Sequence, residues 1–102
     1  MITEEWIKRC VQQQQYRYSR HGDKERQNDG LSLAEVEEAL VSGRIIEQYP
    51  DTGRGESCLW VGFSNHGKPV HIVCGRMSEW MVIVTVYIPL PPKFKNPYER
   101  GR

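Results

Sequence analysis

Hydrophobic residues recur at helical spacing over much of the first 43 residues, and from Gly43 onward they alternate with polar residues. The clearest helix is predicted over Leu33–Ser42, and its apolar stripe consists of Leu33, Val36, Ala39 and Leu40. Ser32 and Glu35 have the spacing of a capping box, in which each side chain bonds the backbone amide of the other residue. Gly43 then supplies a residue suited to ending the helix.

Two further helices and a short strand are predicted before this one. The first helix covers about Glu4–Gln14 and is capped by Thr3. The second is short and polar; Ser19 caps it and Asn28-Asp29-Gly30 ends it. Between the two helices, Tyr16–Tyr18 alternates in character and predicts a short strand.

Four strands are predicted in the second half of the chain, separated by turn-forming residues. They cover Arg44–Tyr49, Ser57–Phe63, Pro69–Gly75 and Trp80–Ile88. The last strand is apolar on both faces, which is typical of a central position in a sheet. Three prolines after it break the strand pattern, and we expect the tail 93–102 to be a flexible arm.

This order of elements predicts an α+β fold in a single domain, 1–102. We expect an antiparallel β-meander of four to five strands, with two to three helices packed on one face. A chain of 102 residues can bury one modest core of this kind.

Composition excludes little. The formal net charge is +1, so no overall electrostatic field favours nucleic acid. After Gly67, however, the sequence contains six basic residues and only two acidic ones. A solvated basic face also explains that excess. The three cysteines have no CxxC spacing, and no apolar run is long enough to span a membrane. We therefore expect free thiols and a cytoplasmic protein.

Six short motifs together resemble those of a bacterial family of uncharacterised small domains. They are His21–Asp23, Gly30–Ser32, Glu47–Asp51, Arg54–Leu59, Lys68–His71 and Thr85–Pro89. That family is similar to the BrnT-like toxins of the RelE/ParE superfold, whose genes often neighbour a YgiT/MqsA-type antitoxin. The resemblance implies a toxin of a type II toxin–antitoxin system that cleaves mRNA, either free or on the ribosome. It also implies a cognate zinc-finger, helix-turn-helix antitoxin as partner.

RNA cleavage without a metal needs a base, an acid and a cation near the phosphate. His21 and His71 are the candidate base and acid, and Tyr87 is a candidate acid or stacking platform. Each also has a structural interpretation: His21 as a helix-start residue, His71 as a histidine bonded across strands, and Tyr87 as a half-buried core residue. If the two histidines act together, they should lie on one side of the molecule.

Four cations are candidate phosphate ligands: Arg26, Arg54, Arg76 and Lys93. Taken individually, each arginine is better explained as a surface charge or a member of an ion pair. Cys58, His71 and Cys74 lack zinc-site spacing, so no metal and no cofactor is expected. Two classes of function remain: an RNA-cleaving toxin, and a non-catalytic protein-binding module with the same fold. Homo-oligomerisation stays open.

Overall fold

The computed structural model describes residues 1–101, which form three helices and seven strands. The helices are α1 (Glu4–Gln12), α2 (Arg20–Asn28) and α3 (Leu33–Ser42). The strands are β1 (Tyr16–Tyr18), β2 (Arg44–Tyr49), β3 (Ser57–Phe63), β4 (Pro69–Met77), β5 (Trp80–Tyr87), β6 (Phe94–Asn96) and β7 (Glu99–Arg100). The α+β class expected from the sequence is confirmed.

The main sheet has five strands in the order β1-β5-β4-β3-β2. Strands β2 to β5 form the expected antiparallel meander, whereas β1 pairs in parallel with the first half of β5. The central position expected for β5 was therefore wrong. The central strand is β4, and β5 lies between it and the short edge strand β1.

The main core lies between one face of the sheet and the helices α1 and α3. Trp60 is fully buried there, and its indole N–H donates to the carbonyl oxygen of Ala39 at 2.9 Å. A side chain at Gly62 would collide with the same carbonyl group, so α3 can approach β3 closely only because this residue is glycine. The cysteines Cys10, Cys58 and Cys74 are buried and free.

Helix α2 lies along the edge of β5 rather than over the sheet. The Ser19 N–H donates to the Ile83 carbonyl at 2.9 Å, and the Ser19 hydroxyl donates to the Val84 carbonyl at 3.0 Å. Further along the strand, the Ile88 N–H donates to the Asp29 carboxylate at 2.8 Å. Helix α2 therefore covers the edge of β5 beyond the point where the three-residue strand β1 ends.

The face of the sheet opposite the core is partly covered by the C-terminal segment. A flexible arm was expected over 93–102, but residues 94–100 contain the β6–β7 pair, and Phe94 is 3% exposed. Arg102 lies outside the described residues. No helix within 1–101 combines the length and the apolar character that crossing a membrane requires.

The capping box at the start of α3 gives a direct test of local stability. The Glu35 N–H donates to the Ser32 hydroxyl at 3.0 Å, and the Ser32 N–H donates to the Glu35 carboxylate at 2.9 Å. We expect Ser32→Ala to lower the free energy of unfolding by about 1 kcal/mol, because it leaves a helix amide without its acceptor. Urea unfolding measures the loss. Thr52→Ala, in an exposed loop, is the control; an equal effect of both substitutions would contradict the role of the cap.

Candidate functional site

A large cleft, which we call the β5 cleft, opens beside the second half of β5. It has a volume of about 770 Å³ and lies between α2 and the C-terminal segment. Its lining residues are Glu25, Asp29, Thr85, Tyr87, Ile88, Leu90, Pro91, Pro92, Lys93, Phe94, Arg100 and Gly101. Strand β1 leaves room for this cleft, because it pairs only with residues 81–83 of β5.

His71 lies directly behind the tyrosine that lines this cleft. It is opposite Tyr87 in the β4–β5 register, and its side chain is fully buried. Its Nδ1 is 3.3 Å from the Tyr87 hydroxyl, and its Nε2 is 2.6 Å from the Pro97 carbonyl oxygen. Because a carbonyl oxygen can only accept, Nε2 carries the proton and Nδ1 accepts the hydrogen bond of Tyr87.

The surroundings of this pair keep both groups uncharged. Burial lowers the pKa of the His71 imidazole, and the bond to Pro97 only partly opposes that effect. Burial likewise raises the pKa of the Tyr87 phenol. Phe94 stands edge-on to the imidazole, with ring centroids 4.4 Å apart. At neutral pH the cleft therefore presents a protonated tyrosine hydroxyl rather than a histidine.

Two cations border the cleft on the side of the C-terminal segment. Arg100 is held in place by Glu47, with contacts of 2.9 and 2.7 Å between its guanidinium nitrogens and the two carboxylate oxygens. These bonds hold the pKa of Glu47 below its usual value. Lys93 makes no ion pair with any residue in 1–101. One fixed and one mobile positive charge therefore face the cleft.

His21 reaches the cleft only through a neighbour. Its Nε2 lies 3.2 Å from Glu25 Oε1, and Glu25 itself lines the cleft opposite Tyr87 and Lys93. The His21 side chain is 67% exposed and does not itself line the cleft. His71 does not line it either, because it is buried behind Tyr87, and a phosphate in the cleft could not contact it.

The three candidate arginines lie elsewhere. Arg26 bonds Asp23 at 3.0 and 2.9 Å and the Leu31 carbonyl at 2.8 Å, and its side chain is 15% exposed. Arg76 lies over the Trp6 ring and 3.5 Å from Glu56. Arg54 lines a second cleft together with Arg76. None of the three lines the β5 cleft.

Sequence reasoning missed Glu25, Phe94 and Arg100. A cation follows an aromatic residue by six positions in the tail, but nothing local indicates that the tail folds back on the sheet. Glu25 is one of several charged residues on the polar helix α2, so its charge alone indicates no site. Its position four residues after His21 was the available signal, because such residues share one helix face.

The arrangement offers the groups that phosphate chemistry requires. Lys93 and Arg100 are placed to bind an anion, Tyr87 to donate a hydrogen bond, and His21 to exchange a proton beside Glu25. Within residues 1–101, no cluster of three or more histidine, cysteine, aspartate or glutamate side chains is placed to hold a metal ion.

Comparison with known families finds one match. A family model described as "Domain of unknown function (DUF4258)" matches residues 18–88, which run from the end of β1 to the residue after β5. No curated protein and no solved structure matches the chain. The match covers 71 residues (88 − 18 + 1) and ends before Lys93 and Arg100.

The lowered pKa of His71 predicts a specific dependence of stability on pH. The pKa of this imidazole in the unfolded chain is 6.5. Below that pH the unfolded chain binds a proton there, whereas the imidazole stays neutral in the folded protein. Stability therefore falls as pH decreases through this region. We expect the free energy of unfolding to drop more between pH 7.5 and 5.5 in the wild type than in His71→Gln. Urea titrations at both pH values measure this difference. An equal drop in both proteins would show that His71 is not held neutral.

Proposed function

The chain belongs to the DUF4258 family, and we propose that it is an RNA-cleaving toxin whose reactive centre is the β5 cleft. The observation that carries the proposal is that Glu25, Tyr87, Lys93 and Arg100 line one cleft. The exposed His21 lies just outside this lining, with its Nε2 3.2 Å from Glu25 Oε1. The resemblance to toxins of the RelE/ParE superfold supplies the class of substrate.

In this proposal His21 is the catalytic base. It takes the proton of the ribose 2′-hydroxyl, which then attacks the adjacent phosphorus and releases the 5′-oxygen of the next nucleotide. Glu25 stabilises the imidazolium that forms, since its carboxylate lies 3.2 Å from the ring nitrogen. Lys93 and Arg100 bind the phosphate oxygens, where negative charge develops as the new bond forms.

Tyr87 is the acid that donates its proton to the leaving 5′-oxygen, and exchange with solvent then restores the proton on Tyr87 and removes the one on His21. To do so it rotates its proton away from His71, whose Nδ1 lies 3.3 Å from the phenol oxygen. His71 is then a positioning residue that fixes the Tyr87 ring from behind. In this proposal Arg100 binds the phosphate in place of the three candidate arginines. Arg26, Arg54 and Arg76 lie outside the cleft.

The proposed partner is the cognate zinc-finger, helix-turn-helix antitoxin. This assignment of the partner rests on the resemblance alone. RNA is the proposed substrate, and no metal takes part in the mechanism. An antitoxin would act by covering the cleft or by restraining the C-terminal segment that forms one of its walls.

We expect induced expression of the wild type to arrest growth, and His21→Ala, Tyr87→Phe and Lys93→Ala each to relieve the arrest. Each has a matched control away from the cleft: His66→Ala, Tyr98→Phe and Lys95→Ala. Purified protein should cleave RNA in the presence of EDTA, with the same ranking of variants. Full activity of all three cleft variants, with circular dichroism showing intact folds, would refute the assignment.

The role of His71 needs a separate measurement, because its loss also removes buried contacts. If His71 acts through Tyr87, then His71→Gln should reduce the cleavage rate in the wild type and cause little further loss in a Tyr87→Phe background. Independent, multiplicative losses would contradict a positioning role.

The second candidate function is a non-catalytic binding module. The observation in its favour is that most charged groups at the cleft already have partners: Glu25 with His21, Arg100 with Glu47, and the Asp29 carboxylate with a backbone amide. Under this alternative, the wild type arrests no growth and cleaves no RNA. Cleft variants would then alter only the binding of a protein partner.

A further inference from the structure

The sheet face opposite the main core has a second half that the C-terminal segment leaves open. Adjacent residues in the sheet register form a row across all five strands: Arg17, Val82, Gly75, Ser57 and Tyr49. The middle of this row carries only a glycine and a serine, so it forms a depression between bulkier neighbours. We call this row, together with Met77, Trp80 and Val84, the open trough.

The open trough is apolar although solvent reaches it. Met77 is 56% exposed, Trp80 42% and Val84 38%. Two clefts meet here at Met77, one lined by Arg17 and Trp80 and the other by Val82 and Val84. Exposed apolar side chains that cluster in this way mark interaction sites more often than isolated ones do.

The charges around the open trough are mainly positive. Arg54 lines it and Arg17 ends its row; Arg76 also borders it, but the Arg76 guanidinium lies over the Trp6 ring on the core side of the sheet. Arg17 and Arg54 have no carboxylate within ion-pair distance among residues 1–101; the Arg17 guanidinium instead contacts the Met77 sulfur at 2.9 Å. The single acidic side chain in the lining, Glu56, is shared by Arg76 and the N-terminal amine. Two arginines are therefore available to a ligand.

We propose that the open trough binds a segment of a partner protein that presents aliphatic side chains flanked by carboxylates. The apolar floor would bury the aliphatic groups, and Arg17 and Arg54 would pair with the carboxylates at the two ends. Five strands spaced about 4.8 Å apart give the row a length of about 19 Å, enough for roughly six extended residues. The proposal stands whether or not the β5 cleft cleaves RNA.

A protein segment fits the open trough better than the other occupants. Single-stranded nucleic acid binds through stacked aromatic platforms and a continuous basic groove. The floor here is mostly aliphatic, with Trp80 at one end, and Glu56 interrupts the basic rim. A second copy of the chain would bring the same arginines into its own interface, which opposes self-association through this face.

A random linear peptide library displayed on phage tests the proposal with the full chain as bait. We expect enriched peptides rich in aspartate, glutamate and aliphatic residues. Synthetic copies should shift the amide NMR signals of Gly75, Met77, Val82 and Val84 in isotope-labelled protein. The double variant Arg17→Glu/Arg54→Glu should weaken their binding about tenfold or more, because each reversal replaces an attraction by a repulsion.

The control is Arg9→Glu/Arg20→Glu, which reverses two exposed charges away from the open trough and should leave the affinity unchanged. The proposal fails if no peptide is enriched, if the winners lack acidic residues, or if they bind the Arg17→Glu/Arg54→Glu protein equally well. It also fails if an oligouridylate shifts the amide signals of the open trough and acidic peptides do not. Sedimentation could instead show a wild-type dimer that the Arg17→Glu/Arg54→Glu substitution dissociates. That result would assign the surface to a second copy of the chain.

Discussion

The imidazole of His71 joins the sheet to the segment that completes the cleft. One ring nitrogen bonds Tyr87 on the neighbouring strand, the other bonds the Pro97 carbonyl, and the ring edge meets Phe94. The Pro97 bond requires a proton on Nε2, and burial favours the neutral ring, in which Nδ1 is free to accept from Tyr87. Phe94 is held by its contact with the imidazole and Arg100 by its pair with Glu47, so the wall of the cleft depends on both.

The fold was predictable where local patterns determine structure. The capping box at Ser32, the β2–β5 meander and the helix bounds all follow from signals within a few residues. The parallel pairing of β1 with β5 was not predictable in this way, because it joins distant segments and three residues carry little pattern. The β6–β7 pair was not predictable for the same reason. It is stabilised by packing of Phe94 on His71, and no local sequence pattern links these two residues.

The candidate site was predictable in part. Tyr87 and Lys93 do line one cleft, and His21 touches its rim through Glu25. Alternation with Val70 and Ile72 puts His71 on the opposite face of the sheet from these two residues, but it cannot show that a distant segment covers that face. The three candidate arginines lie outside the β5 cleft, and Arg26 bonds the Leu31 carbonyl. Such side-chain bonds depend on tertiary structure and cannot be predicted from composition.

The pairing of β1 with β5 also has a consequence for synthesis of the protein. Tyr16 faces Met81, a separation of 65 residues (81 − 16), and the cleft further requires Lys93 and Arg100 from the end of the chain. Loop closure over such a distance is slow compared with the formation of local helices and hairpins. A chain still being translated therefore has its meander and α3 before it has a cleft. Any function located in the cleft therefore requires that residues 93–100 have been synthesised and have folded back onto the sheet.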